Sequence, residues 1–401
     1  MSKKIKKNKK DSGLAKLILL STLALVVIVF ASVSITSFVK KKKAEKTVRV
    51  AFYGLPEEYC TLLQEYIPKE DKIELKCDIL SEGGLDLGAV KEKYDMLFTW
   101  KGEVTDVLAA SSTEIPAKIL ETMPSSLRDK KCVPILLDHC EFAYSKDVLG
   151  KLTGNISNNF AGFLNYLNQA KNYVFSPFFC LGADDRIFTA FLGSMVEAQG
   201  GLQAYNKLIE LLKSDIKFEA LLDTSLNASN LTLRSVLDML KTWPKEGLTH
   251  PSWYNGNGND LVYFAEDNHL GVFFTYLSEH RKIPYQIISG YESLPLPMMS
   301  ATSEYGIIAP AVSAMLLSSN DNAKRYLYEF FTEEAQAELS DKTMLAPVHS
   351  RAQAFDRQAD DVRFWAASCA GGALPDLYLS VYQRNPSKMA EFATNCRIYI
   401  R

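Results

Sequence analysis

A run of 23 uncharged residues, Leu17 to Val39, lies between two lysine clusters and limits the possible folds more than any other feature. At ~1.5 Å per residue it makes a helix of roughly 34 Å, enough to cover the ~30 Å hydrocarbon core of a bilayer. Lys3, Lys4, Lys6, Lys7, Lys9 and Lys10 precede it and favour a cytoplasmic N-terminus, while Lys40 to Lys43 on the far side pull the other way. A cleavable secretory signal has the same basic start but a shorter apolar region of ~7–15 residues. Ser32-Val33-Ser34 nevertheless offers a small-x-small site, so both readings stand, and both export the rest of the chain. No cysteine precedes Cys60, which argues against a lipid-bearing N-terminus. The expected layout is a basic cytoplasmic tail (1–16), a single-pass helix in the inner or cytoplasmic membrane (17–39), a linker (40–47) and a large extracytoplasmic region, periplasmic or extracellular.

The residues after 46 are enough for two cores. The first 46 residues carry 12 lysines against Asp11 and Glu45, a charge of +10; with −2 for the whole chain, the remainder carries −12. An acidic exported region argues against nucleic acid, whose phosphates need a basic face. All seven cysteines lie in this region with no C-x-x-C pair, and the sequence leaves buried free thiols and at least one disulfide both open. The five histidines show no metal-ligand spacing, and neither metal nor cofactor is expected.

Val48 to Tyr53, Ile73 to Leu80 and Tyr94 to Trp100 read as strands, with a helix from Glu57 to Ile67 between the first two. A β-α-β start predicts a parallel sheet covered by helices, with ligands beyond the strands' carboxyl ends, here Tyr53-Gly54 and Thr99-Trp100. Helical spacing follows at Phe160 to Lys171, Asp185 to Gln199, Leu202 to Ser214 and Leu231 to Trp243, with a break at Gly200-Gly201. Strands are predicted again at Asp260 to Phe264, Leu270 to Tyr276, Tyr285 to Ile288 and Gly306 to Pro310, before a helical tail from Ala323. No nucleophile elbow, phosphate loop or dinucleotide fingerprint is present. Asp184-Asp185 and Asp360-Asp361 are the only neighbouring acids considered for glycoside chemistry, and adjacent acids usually point apart, so no enzyme is expected.

Four stretches carry a family resemblance. Val133 to Leu149 (VPILLDHCEFAYSKDVL) resembles the lobe-crossing segment of the maltose-binding-protein-like solute-binding proteins of ABC importers, departing from its Tyr-Asn-Lys-Asp pattern at Ser145. Asp185 to Gly201 is similar to that family's second-lobe helix, Gly306 to Leu345 with Ala346-Pro347-Val348 to its strand, paired helix and return, and Arg363 to Ala366 to its late aromatic pair. The resemblance implies an α/β fold of two lobes with mixed sheets flanked by helices and a ligand cleft between them. It divides the chain into 48–137 plus 286–345 for the first lobe and 138–285 plus 346–401 for the second.

The resemblance also implies a function: capture of a small solute, a sugar or oligosaccharide, and delivery to ABC permease subunits in the membrane. The alternative is an anchored sensory or structural ectodomain that kept the fold and lost transport. A sugar's C–H faces suit aromatic rings and its hydroxyls suit carboxylates. By position in the family pattern, the expected cleft residues are Tyr53, Gly54, Trp100, Asp138, Asp184, Arg186, Tyr276 and Trp365, with Arg186 standing where a ring is common. Trp100 and Tyr276 fit core packing as well as ligand contact.

Overall fold

Apolar runs of five to seven residues become strands covered on both faces. The computed structural model describes residues 47–401 apart from 67–72, 82–84, 153–156, 158, 267–268 and 295–305. The expected membrane helix at 17–39 lies outside the described residues, and among those no helix is long and apolar enough to cross a membrane. Twelve strands are described: Thr47–Tyr53 (β1), Glu74–Leu80 (β2), Met96–Trp100 (β3), Val133–Leu137 (β4), Cys140–Ser145 (β5), Ser176–Cys180 (β6), Leu270–Tyr276 (β7), Tyr291–Leu294 (β8), Ile307–Ile308 (β9), Ala311–Leu316 (β10), Ala346–Pro347 (β11) and Ala373–Leu374 (β12). Every residue of β3, β4, β5, β6, β7 and β10 is buried. Sheets that helices cover on both faces require this.

The strands form a six-stranded sheet in the order β11-β4-β10-β3-β1-β2, a four-stranded sheet in the order β6-β7-β5-β8, and a two-stranded β12-β9 ladder. In the first sheet β1 runs parallel to β2 and β3, and β10 lies antiparallel to β3 and β4. The β4–β10 register shifts at Val312/Ser313, beside Pro134, which has no N–H to give the ladder. Each large sheet has its own core. Phe52 and Phe98 stack at 5.3 Å in the first, with Tyr326 and Phe330 packed edge-on to Phe98. The second is an aromatic cluster in which Phe178 meets Phe191, Trp243 and Trp253 at 5.0–5.7 Å.

The structure draws the lobe boundary differently from the expected one. β8 pairs with β5, so residues 291–294 belong to the second sheet and not the first. β11 pairs with β4, and Ala359, Val362 and Ala366 of the Arg357–Ser368 helix lie in the first core; the chain returns to the second with Leu374 and Leu377, while Leu379 still packs in the first. Two predicted strands are helices. Asp260 to Phe264 falls in the Gly258–Glu266 helix, because Asn257 Oδ1 accepts the Asn259 and Asp260 N–H groups while Asp260 accepts from Asn257 N. Reciprocal capping of this kind outweighs the strand preference of Val and Tyr. Tyr285–Ile288 is a helical turn started by Pro284, whose φ of −53° suits the entry to a helix. The predicted break at Gly200-Gly201 is present: the helical run Asp185–Lys213 kinks at Gly201, whose φ of +69° and ψ of −172° are not helical. All seven cysteines are free thiols, six of them buried.

Glu197, on that long helix, is 4% exposed and meets the backbone of Gly306 just before β9, where the chain passes between lobes. Its Oε1 has no hydrogen-bond partner among the described residues, and burial pushes its carboxyl from 4.5 up to about 8. Because the folded state holds the proton more tightly, stability falls as pH rises from about 4.5 to 8, by at most ~1.4 kcal/mol per pH unit, and levels off above. Glu197→Gln lacks this slope. The melting temperature of E197Q relative to the parent should therefore climb between pH 5 and pH 8; a pH-independent difference would show that Glu197 ionises normally.

Candidate functional site

The carboxyl ends of β1 and β3 open onto a cavity of about 700 Å³ between the two large sheets. After β1 the chain turns at Gly54, whose φ of +63° is strained for any L side chain. Pro56 then starts the Glu57–Gln64 helix, which sets Tyr59 beside Trp100 with ring centroids 6.4 Å apart. From the second lobe come Arg186, in the first turn of the Asp185–Lys213 helix, Tyr276, the last residue of β7, and Ser278 and Glu279 just beyond. Asp138 stands in the crossing between β4 and β5.

Asp376 joins these elements. Its side chain is wholly buried; Oδ2 accepts from the Tyr276 hydroxyl at 2.6 Å and from Arg186 Nε at 3.3 Å, and Oδ1 accepts from Leu379 N at 2.8 Å. The Arg186 guanidinium lies over three rings, Tyr276 at 4.7 Å, Trp100 at 5.4 Å and Tyr378 at 5.5 Å. Burial alone would lower its basicity, but Tyr276, Asp376 and Asp138 more than offset this and hold it protonated. Its Nη2 is buried without an acceptor among the described residues, which costs ~1–3 kcal/mol. Burial likewise pushes the Tyr276 phenol up, reinforced by Asp376.

Asp138 accepts three hydrogen bonds from the protein and keeps a lone pair on Oδ2. Oδ1 accepts from His139 N (2.9 Å) and Ser278 N (3.0 Å), and Oδ2 from Ser278 Oγ (2.6 Å). Burial raises its carboxyl to about 6 although the Ser278 donors and Arg186 favour the ionised form. The chemistry on offer is therefore aromatic faces, a carboxylate that can accept and a guanidinium that can donate. Among the described residues no cluster of three or more metal-ligating side chains occurs.

Of the eight residues expected here, Gly54, Trp100, Asp138, Arg186 and Tyr276 line the cavity. Three do not. The Tyr53 side chain points into the first-lobe core beside Leu97 and Val104, and its hydroxyl donates to the Gln383 carbonyl. Asp184 is the exposed N-cap of the long helix, accepting from Arg186 N and Ile187 N. Trp365 packs half-buried against His139 at 5.5 Å and faces a different hollow, with Arg281 between that hollow and the cavity. Sequence reasoning missed Tyr59, Ser278, Asp376 and Tyr378. Tyr59 was findable, three residues after a proline that opens a helix; Asp376 and Tyr378 carry no local signal.

No protein-family model matches the sequence, and no curated protein matches it. Among solved structures the chain is similar to the bacterial solute receptor AcbH, described as having an exclusive preference for β-D-galactopyranose, with TM-score 0.70 and 12% identity over 88% of this chain and 92% of that one. RafE from Streptococcus pneumoniae, also solved with raffinose, gives 0.62 in its apo form at 14% identity, covering 88% and 93%. The MsmE binding protein of Bacillus subtilis, in an open conformation, gives 0.63 at 12%, covering 88% and 92%. At such identities the likeness shows a shared two-lobe α/β fold.

If Asp376 is the counter-charge that keeps Arg186 in place, the two should be strongly coupled. Arg186→Leu leaves a buried carboxylate alone and should cost ~3 kcal/mol in denaturant unfolding, whereas adding Asp376→Asn should recover a good part of it. Additive losses would show that the pair is not coupled.

Proposed function

We propose that this chain is an extracytoplasmic solute-binding protein that captures a small saccharide between its lobes and passes it to an ABC permease, held to the membrane by Leu17–Val39. The observation that carries the reading is the interlobe cavity itself, whose wall brings the rings Tyr59, Trp100 and Tyr276 together with Arg186 and Asp138. Rings accept the C–H face of a pyranose and the charged groups its hydroxyls. The shared fold with receptors for galactopyranose and raffinose supports a sugar.

The ligand contacts both lobes, so it favours the arrangement in which they are close; it shifts the lobes by its differential affinity for that state and no further. The eight residues of the linker, Lys40 to Thr47, span about 26 Å at ~3.3 Å each. Tethering at that reach raises the effective concentration of the lobes at a permease.

A saccharide that binds here should raise the melting temperature, since a ligand at 100 times its dissociation constant adds ~2.7 kcal/mol. A broad panel of sugars and oligosaccharides giving neither a thermal shift nor closure by small-angle scattering would overturn the reading. Trp365→Ala should lower stability while leaving affinity unchanged, because the ring supports His139 outside the cavity; a matching loss of affinity would return Trp365 to the ligand.

A further inference from the structure

We propose, resting on the solute-binding reading, that the preferred ligand is an acidic saccharide whose carboxylate is received by Arg186. The Arg186 side chain is 28% exposed, and its guanidinium is held at one edge only, Nε to Asp376 Oδ2 at 3.3 Å. Asp376 also accepts from the Tyr276 hydroxyl at that oxygen and from Leu379 N at the other, and it meets the guanidinium through Nε alone and not with two parallel bonds. Asp138 is likewise committed to His139 and Ser278. Among the described residues Nη2 has no acceptor, and it is buried between rings.

The other cations around the cavity are occupied. Arg281 holds Asp356 through both Nη1 and Nη2 at 2.8 Å, which leaves its buried Nε alone without a partner among the described residues; Lys282 is paired with Glu279 at 2.8 Å and Lys342 with Glu338 at 2.8 Å. Arg186 differs from them in having an Nη donor with no acceptor among the described residues, at the edge a carboxylate would use. A hydroxyl satisfies one N–H. A carboxylate offers two coplanar oxygens matched to the guanidinium fork, in bonds roughly twice as strong as neutral ones. The covering rings come from both lobes, Trp100 from the first and Tyr276 from the second. Parting the lobes therefore uncovers Arg186, and closing them seals a bound carboxylate against it.

The test titrates the full chain, in lipid nanodiscs, with D-galacturonate, D-glucuronate and their oligomers beside D-galactose, D-glucose and the matching neutral oligomers, and with citrate and glutamate as carboxylates that are not sugars. The acidic sugars should bind at least ~10-fold tighter at low salt, and the preference should shrink as salt rises. Arg186→Gln should abolish the preference and Arg186→Lys should keep part of it. Should the Gln variant fail to fold, the salt dependence of the parent and the Lys variant still decide. Neutral sugars binding as tightly as their acids would overturn the acidic assignment and leave the sugar reading intact. Binding of citrate or glutamate in place of any sugar, or of nothing on the panel, would overturn both.

Discussion

Asp376 is a carboxylate with no exposed surface, and a buried charge persists only when paired and hydrogen-bonded. Its partners come from elements far apart in the chain: Tyr276 from the end of β7, Arg186 from the start of the long helix and Leu379 N from the segment after β12. Moving any one of them strips a bond from the charge. The positions of the three rings around Arg186 follow, because the guanidinium must stay against Asp376 while Trp100 and Tyr378 pack over it. The cleft's geometry is thus the consequence of neutralising one buried group.

The segment that carries Asp376 also fastens the lobes together. Leu379 packs into the first core while Leu377, Val381 and Tyr382 pack into the second. Gln383, buried, donates to Thr99 Oγ1 and the Trp100 carbonyl and accepts from Val104 N, so its amide caps the carboxyl end of β3. Gly102 comes so close that a Cβ there would lie 2.2 Å from the Leu379 carbonyl oxygen. A second set of ties lies at the β4–β5 crossing, where Gln358 of the first lobe donates to Glu141, the short-bonded partner of His280, and Arg281 holds Asp356. Polar groups this well buried resist being pulled apart, so they tie the two cores together at the β4–β5 crossing.

Much of the fold was legible because burial on both faces leaves a strong mark. Leu270–Tyr276 was read to the residue, and β1, β2 and β3 within two. The errors arose where local chemistry competes with apolar pattern. Asn257 and Asp260 turn a strand-like DLVYF into a helix by capping its first turn. The lobe boundary failed for a different reason: β8 and β11 are only four and two residues long, too short for periodicity to assign them to a sheet.

The site was legible only where it lies at the ends of recognisable elements, as Gly54, Trp100, Asp138, Arg186 and Tyr276 do. Asp184 could have been identified as a helix cap from its place two residues before Arg186, since a short acid at a helix start satisfies the first free N–H groups. Trp365 could have been set aside on spacing, because Ala359, Val362 and Ala366 define the buried face of its helix and position 365 falls beside it. Asp376 and Tyr378 are another matter. They matter through partners 190 and 100 residues away, Arg186 and Tyr276, and a contact of that range leaves no periodicity to read. Yet Arg186 itself was a pointer, since a cation placed where rings gather needs a buried counter-charge, and an acid in the otherwise apolar stretch Ala373 to Leu379 was there to supply it.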